Sequence, residues 1–307
     1  MPWLPPDKSR REQVDELYRR SQPNVPVSSQ CQPVSSNDIL RIGQVNSSVK
    51  DHLQLLKDRE RLYCPSPRYI EVQPEIEANH RAILYDWLVE VVQEYHLSLG
   101  TLYFAVNYCD RFLSTTQVSR DKLQLVGIAS LFIANKYDTN DHRSVRDYAY
   151  ISDNTYDENE IIKMEAIILN KLDFYLQPAT QADFLQKYMQ NKSFSSFTST
   201  LAFYLSELTI LDSDYLQYKP SMIAASSLCL ACLFTGDPNW TDTSFDPLEY
   251  SIEELSICMR DLYHSFEVAK VAKLTAVRDK YCSTNYGCFI NGGYQYAPKI
   301  TPPNIPF

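Results

Sequence analysis

Apolar residues recur at three- and four-residue spacings along most of this chain, and period-two alternation is sustained nowhere. That pattern predicts helices and no strand. No proline interrupts the chain between Glu75 and Gln177. Proline returns at 178, 220, 238 and 247, where it reads as helix starts or connections. The spacing places helices at roughly 78–95, 100–114, 120–137, 144–150 and 157–172, and again at roughly 178–190, 195–212, 218–234, 251–266 and 270–281. Ahead of them Ser47–Leu62 is amphipathic, with Val49, Leu53, Leu55, Leu56 and Leu62 as its apolar positions. It is expected to pack as an arm beyond the linker Tyr63–Pro74.

Five helices followed by five reads as an internal repeat. The third helix of each set carries that reading: KLQLVGIASLFIANK (122–136) and SMIAASSLCLACLF (221–234) are apolar nearly all round and rich in small residues. Such a helix is surrounded by others, and its small residues let them approach. The expected organisation is a disordered Ser/Gln/Pro-rich tail over 1–46, the N-terminal helix and linker over 47–74, one repeat over 75–177, a second over 178–287 and a C-terminal tail over 288–307.

One segment mixes two kinds of residue. In RAILYDWLVE (81–90), Ile83, Leu84, Trp87 and Leu88, continued by Val91, form an apolar stripe, and Arg81, Asp86 and Glu90 are charges pressed against it. Glu165 is a second such case, a carboxylate between Met164 and Ala166 in an otherwise apolar helix, where it needs a partner. Lys136, at the end of a helix, is by itself a favourable partner for the helix dipole.

Composition narrows the function. The 307 residues are 44% hydrophobic, carry a net charge of −9 and include only 7 glycines. The acidic balance argues against a nucleic-acid surface. The chain has no GxGxxG, GxxxxGK[ST] or GxSxG, hence no phosphate-cradling loop or nucleophile elbow. It has no DDxxD or HExxH either, so no metal site and no cofactor are expected, and an all-α enzyme that needs such a cluster is disfavoured. No long apolar run spans a membrane, and the N-terminal MPWLPPDKSRRE lacks the apolar core of a secretory signal. The eight cysteines show no framework spacing, and Cys229-x-x-Cys232 reads as two buried small hydrophobes within a helix. His142 lies in a polar loop and needs no special role.

At RAILYDWLVEV, LYFAVNYCDRFLS, KLQLVGIASLFIANKYD and YAYISDNTYDENEIIKMEAIILNKLDF the chain resembles the cyclin box of mitotic A- and B-type cyclins. FYLSELTILDSDYLQYKPSMIAASSLCLA and IEELSICMRDLYHSF look most like the A-type. The resemblance runs from about Ser47 to about Gly287. It implies an all-α fold of two tandem five-helix cyclin-box repeats preceded by an N-terminal helix. The implied function is a non-catalytic subunit that forms a heterodimer with a cyclin-dependent protein kinase, activates it and docks substrates during cell-cycle progression, in nucleus and cytoplasm. Positions matching the kinase-binding surface are Lys136, Glu165, Ile133, Phe174, Asp138, Leu55 and Leu56. Read alone, Ile133 and Phe174 are ordinary core. A groove for Arg-x-Leu motifs of substrates or inhibitors matches Ile83, Leu84, Trp87, Glu90, Arg120 and Gln124. Leu84 and Trp87 would hold the motif's leucine, Glu90 would pair with its arginine, and Trp87 is expected to stand half-exposed; the alternative is that Leu84 and Trp87 are buried stripe. Arg81 and Asp110 match an internal ion pair tying the first helix to the second.

Departures from the family pattern accompany the match. His80 stands where the family has methionine, and His52 where it has an apolar residue. After Lys136 the acidic pair is reduced to Tyr137, Asp138 and Thr139. Arg59-Glu-Arg-Leu62 fits the RxxL form of a destruction box but falls within the predicted helix. The altered 138–143 loop motivates a second reading, a divergent cyclin-fold adaptor for degradation or transcription that does not activate a kinase.

Overall fold

The structure, a computed structural model, describes residues 42–140, 143–190, 193–237 and 250–282, with side chains from residue 52. Among these residues every regular element is helical. Two units divide within the first helix, at Leu55 and Leu56. That helix, α1 (Ile42–Leu62), begins five residues before the predicted Ser47 and takes in the end of the expected tail. The rest of the tail, the segment 238–249, His142 and the C-terminal tail lie outside the described residues.

The first repeat follows as α3 (Ala78–Glu94), α4 (Leu99–Leu113), α5 (Leu123–Asp138), α6 (Val145–Ile151) and α7 (Glu158–Lys171). The second is α8 (Gln181–Met189), α9 (Ser196–Leu208), α10 (Pro220–Thr235), α11 (Ile252–Ala269) and α12 (Ala276–Cys282). Between α1 and α3 the predicted linker holds a further short helix, α2 (Tyr69–Val72). This linker is pinned rather than free. Tyr69 is buried, and Gln73 Nε2 donates to the carbonyls of Leu113 (2.6 Å) and Thr116 (2.8 Å) while its Oε1 accepts from the Val118 N–H.

The two central helices are α5 and α10, as their all-round apolarity requires. Leu123 and every residue from Leu125 to Asn135 are buried on α5, and Ser221 with Ile223–Cys232 on α10. Helix α5 packs on α3, α4, α6 and α7, and α10 on α8, α9 and α11. Gly127 shows why the small residues are there: a Cβ on it would fall 2.7 Å from Leu84 Cδ1, so at the close crossing of α3 and α5 a side chain would force Leu84 to move.

Local capping sets most helix starts. Asp157 with Glu160, Thr180 with Asp183 and Ser251 with Glu254 form capping boxes at α7, α8 and α11. One cap occurs in both repeats. Ser98 caps α4, and Asp138, beyond the core of α5, accepts hydrogen bonds from the hydroxyls of Ser98 and of Thr101 (2.7 Å). Ser195 caps α9, and Asp237, after α10, accepts from the Thr198 hydroxyl at 3.0 Å. A carboxylate beside a helix N-terminus is favoured by the exposed N–H groups there. The shared device supports the internal repeat independently of hydrophobic pattern.

Candidate functional site: charged pairs and an uncovered helix face

Arg81 and Asp110 are both buried and meet in a bidentate pair, Nε–Oδ1 at 2.9 Å and Nη2–Oδ2 at 2.8 Å. The hydroxyls of Tyr69 (2.5 Å) and Tyr85 (2.6 Å) also donate to Asp110 Oδ1. The third guanidinium contact, Nη1 to the Ile210 carbonyl at 2.9 Å, reaches into the second repeat. The cluster therefore ties α2, α3 and α4 to the segment after α9. Burial, and then the Asp110 charge, hold both tyrosines well above their ordinary pKa. Sequence reading found the pair but missed the tyrosines and the Ile210 carbonyl.

Other buried charges also join elements. Glu207 receives both Lys280 Nζ contacts at 2.7 Å and the Tyr281 hydroxyl at 2.8 Å, locking α9 to α12. Glu60, in the last turn of α1, accepts the Ser221 N–H (2.6 Å) and hydroxyl (2.9 Å) at the start of α10. The RxxL tetrapeptide around Glu60 is thus held in helical form. Glu207 had a legible signal, a carboxylate inside the apolar run FYLSELTIL, of the kind that marked Glu165.

Asp86 caps α12, accepting the Ala276 N–H at 3.0 Å. Burial pushes its carboxyl up to about 6, with Glu90 and Asp279 adding to the shift and the Ala276 N–H opposing it. The folded chain keeps a proton here that the unfolded chain, near its ordinary 3.8, releases first. Stability from this group therefore falls as pH rises between the two values. Asp86→Asn keeps an oxygen acceptor and cannot ionise. It should gain stability relative to the parent as pH rises from about 4 to about 6 in denaturant titrations; a constant difference would show that Asp86 does not titrate there.

Lys136 and Glu165 sit on α5 and α7, and they pair with each other. The ammonium also lies 4.1 Å from the Phe132 ring centroid. The partner that Glu165 needs is thus supplied within the chain, where it is 12% exposed. The outer face of α7 is uncovered: Ile162, Lys163, Ala166, Ile167 and Asn170 are exposed, and only Ile161 and Ile168 are buried in this helix. Just beyond the helix, Asp173 (φ 52°) and Phe174 (φ 57°) are left-handed, and Phe174 is 62% exposed. A left-handed aromatic residue is strained, on the order of 1–3 kcal/mol, and here its ring faces solvent. Tyr175 beside it is exposed too.

The remaining predicted positions divide. Ile133 is 2% exposed and sits inside α5, so it is core in the isolated chain, whereas Phe174 is surface. Asp138 is committed to the hydroxyls of Ser98 and Thr101. Leu55 and His52 are exposed and Leu56 is buried. In the matched groove, Ile83, Glu90 and Gln124 are half-buried and Arg120 is exposed. Leu84 and Trp87 are buried; Trp87, at 3%, is not the half-exposed residue expected, because its position on α3 falls in the stripe facing the core. Gln124 Nε2 is a buried donor with no acceptor among the described residues. His80 Nδ1 accepts the Glu77 N–H at 3.1 Å, closing the capping box of α3. Cys229 and Cys232 are buried. Among the described residues no group of three metal-competent side chains occurs, and no helix is long and apolar enough to cross a membrane.

Comparison with known proteins gives a consistent picture. The cyclin N-terminal domain family matches residues 51–177, and the cyclin C-terminal domain family matches 179–291. A G2/mitotic-specific cyclin-A of Patella vulgata is 39% identical over 267 residues, 87% of this chain and 60% of that protein. Cyclin-A2 of Xenopus laevis is 40% identical over 74% of this chain and 55% of its own length. The human cyclin-A1 is 37% identical over 82% and 56%. The chain thus spans little more than half the length of these relatives. The X-ray structure of a viral cyclin from herpesvirus saimiri superposes with a TM-score of 0.63 at 21% identity, over 74% of this chain and 99% of that one, a likeness of fold.

Proposed function

This chain belongs to the cyclin family, and from that membership we propose that it is a regulatory subunit that binds and activates a cyclin-dependent serine/threonine protein kinase. The observation that carries the proposal is the uncovered face of α7. Apolar Ile162 and Ile167 stand in water on α7, Ile162 one turn before Glu165, and Phe174 does so on a strained turn just beyond the helix. A monomer gains nothing from that arrangement, whereas a partner helix covering it would recover the apolar area. Lys136 and Glu165 would exchange part of their mutual contact for polar groups of the kinase. Ile133 is buried within α5. Activation would be a population shift: binding favours the kinase conformation in which its Lys–Glu pair and activation segment are aligned, and the cyclin supplies no reacting group.

A second surface would dock Arg-x-Leu motifs. Ile83 and Glu90 line the outer row of α3, Gln124 is half-buried with its Nε2 buried, and Leu84 and Trp87 form the packed floor. Because the floor is core, the test falls on the rim. Glu90→Lys should weaken an Arg-x-Leu peptide by about tenfold or more, measured by fluorescence anisotropy, and leave kinase binding unchanged. Equal loss of both would place Glu90 in the kinase interface.

The deciding experiment is co-purification of the full chain with a panel of cyclin-dependent kinases, followed by phosphorylation of a histone substrate. A bound and stimulated kinase supports the proposal. A bound kinase without stimulation favours the adaptor reading, and no bound kinase ends the proposal.

A further inference from the structure

We propose that Ser66 is a phosphorylation site for a proline-directed serine/threonine kinase and that Arg111 receives the phosphate. This goes beyond the reading above and does not depend on which kinase, if any, the chain activates.

The loop Tyr63–Arg68 joins α1 to α2. Within it Ser66, Pro67 and Arg68 begin a tight turn, closed by the Tyr69 N–H on the Ser66 carbonyl at 3.3 Å. Arg68 has φ −114° and ψ 23°, near the third position of a type I turn, and Pro67 occupies the second, where proline is favoured. Serine opens such turns by bonding its hydroxyl to the backbone. Here the hydroxyl makes no hydrogen bond among the described residues, and Ser66 is exposed. The turn does not use the group that would be modified. Pro67 has no N–H, so only a kinase whose site accepts a pyrrolidine ring after the acceptor serine would read this segment. Opening it costs two hydrogen bonds, the turn and the Ser66 N–H to Ser114 Oγ at 2.9 Å.

The receiving group stands on the helix end that holds the Ser66 amide. Arg111 and Ser114 are three residues apart at the end of α4, on one face of the helix. Ser114 holds the Ser66 amide, and the Arg111 guanidinium lies 5.1 Å from the Tyr63 ring centroid at the other end of the loop. The loop is thus anchored at both ends to the turn that carries Arg111. The contacts of Arg111 are neutral: Asn107 Oδ1 at 3.4 Å and the Tyr175 carbonyl at 2.9 Å. No carboxylate lies within ion-pair distance of it among the described residues. Burial draws its pKa below the ordinary value, the mark of a cation without a compensating anion. A phosphoserine carries close to two negative charges and pairs well with a guanidinium. The exposed Arg68, held loosely by Glu71 at 3.9 Å, adds a second cation.

The step is a phosphoryl transfer from ATP. The bond from Ser66 Oγ to the γ-phosphorus forms, the bond from that phosphorus to the β-bridging oxygen breaks, ADP leaves, and the hydroxyl proton passes to the kinase's catalytic carboxylate.

The test incubates the full chain with a purified proline-directed kinase and ATP and locates phosphate by peptide mapping. A synthetic peptide of residues 60–72 and Thr301-Pro302, the other Ser/Thr-Pro pair in the sequence, serve as comparators. Phosphate on Ser66, absent from Ser66→Ala, is expected. Label on the peptide or on Thr301 without label on Ser66 of the chain overturns the site, as does an unlabelled peptide with a kinase active on its usual substrate. The phosphorylated chain should melt about 2–4 °C higher than the unmodified one, and about 0.5 M salt or Arg111→Gln should remove the rise. An unchanged midpoint, or a rise that survives both, overturns the role of Arg111. If Arg111→Gln does not fold, the salt dependence of the wild-type chain decides alone.

Discussion

Asp110→Ala should be among the most destabilising single substitutions in this chain. The carboxylate accepts four hydrogen bonds, two from Arg81 and one each from Tyr69 and Tyr85. Removing it strands a buried guanidinium that keeps the Ile210 carbonyl and the face of the Tyr85 ring but no counter-ion among the described residues, together with two tyrosine hydroxyls that lose their acceptor. Breaking a buried pair in this way costs about 3–5 kcal/mol. For a chain of this size that is a fall in melting midpoint of roughly 10 °C. Scanning calorimetry on the purified protein measures it. A loss under about 1 kcal/mol would mean that water or a local shift replaces the carboxylate, as at an exposed pair. Because the Ile210 contact crosses between repeats, the loss should appear as earlier unfolding of the whole molecule rather than of α3 and α4 alone.

The other large effect is on association. In Lys136→Glu with Glu165→Lys, the two charges exchange places and still pair, so the fold keeps its ion pair. Being partly exposed, that pair contributes under about 1 kcal/mol, and the melting midpoint should move by no more than about 3 °C. A partner meets the opposite order of charges. Binding to the kinase should weaken by about a hundredfold or more, the size expected when a charged contact near an interface centre is lost. Titration calorimetry separates this from misfolding because the melting midpoint is read on the same sample. Normal binding by the exchanged protein would remove Lys136 and Glu165 from the interface and leave the exposed apolar row of α7 as its only claim.

The clearest divergence from the periodicity is at the C-terminal end. Helices were expected at 251–266 and 270–281, and they run to Ala269 and from Ala276. Neither proline nor glycine occurs between Glu267 and Thr275, so no residue there marks the break. The connection is instead stabilised from a distance, by Arg278 Nη1 on the carbonyls of Ala269 (2.9 Å) and Lys270 (3.1 Å) and by Asp86 on the Ala276 N–H. Trp87 shows the same limit at the level of one side chain. Helical spacing put it on the apolar stripe, but the sequence could not say whether that edge of the stripe was covered.

By itself the sequence determined the helices, their grouping into two sets of five and the two central helices, because these rest on periodicity along the chain, and its segments carried the resemblance to the family. It also showed which charges were out of place: Arg81, Asp86 and Glu165 stand in or against apolar runs, where an ion must find a counter-ion or a donor. Tertiary structure alone decided what each one met. Asp110 gathers two tyrosines and an arginine, Glu165 turns to Lys136 within the chain, Asp138 caps α4 instead of facing outward, and Asp86 holds α12. The need for a partner is a property of one residue and its neighbours in sequence. The partner's identity depends on which atoms lie within about 3 Å, and that is set by how the helices cross.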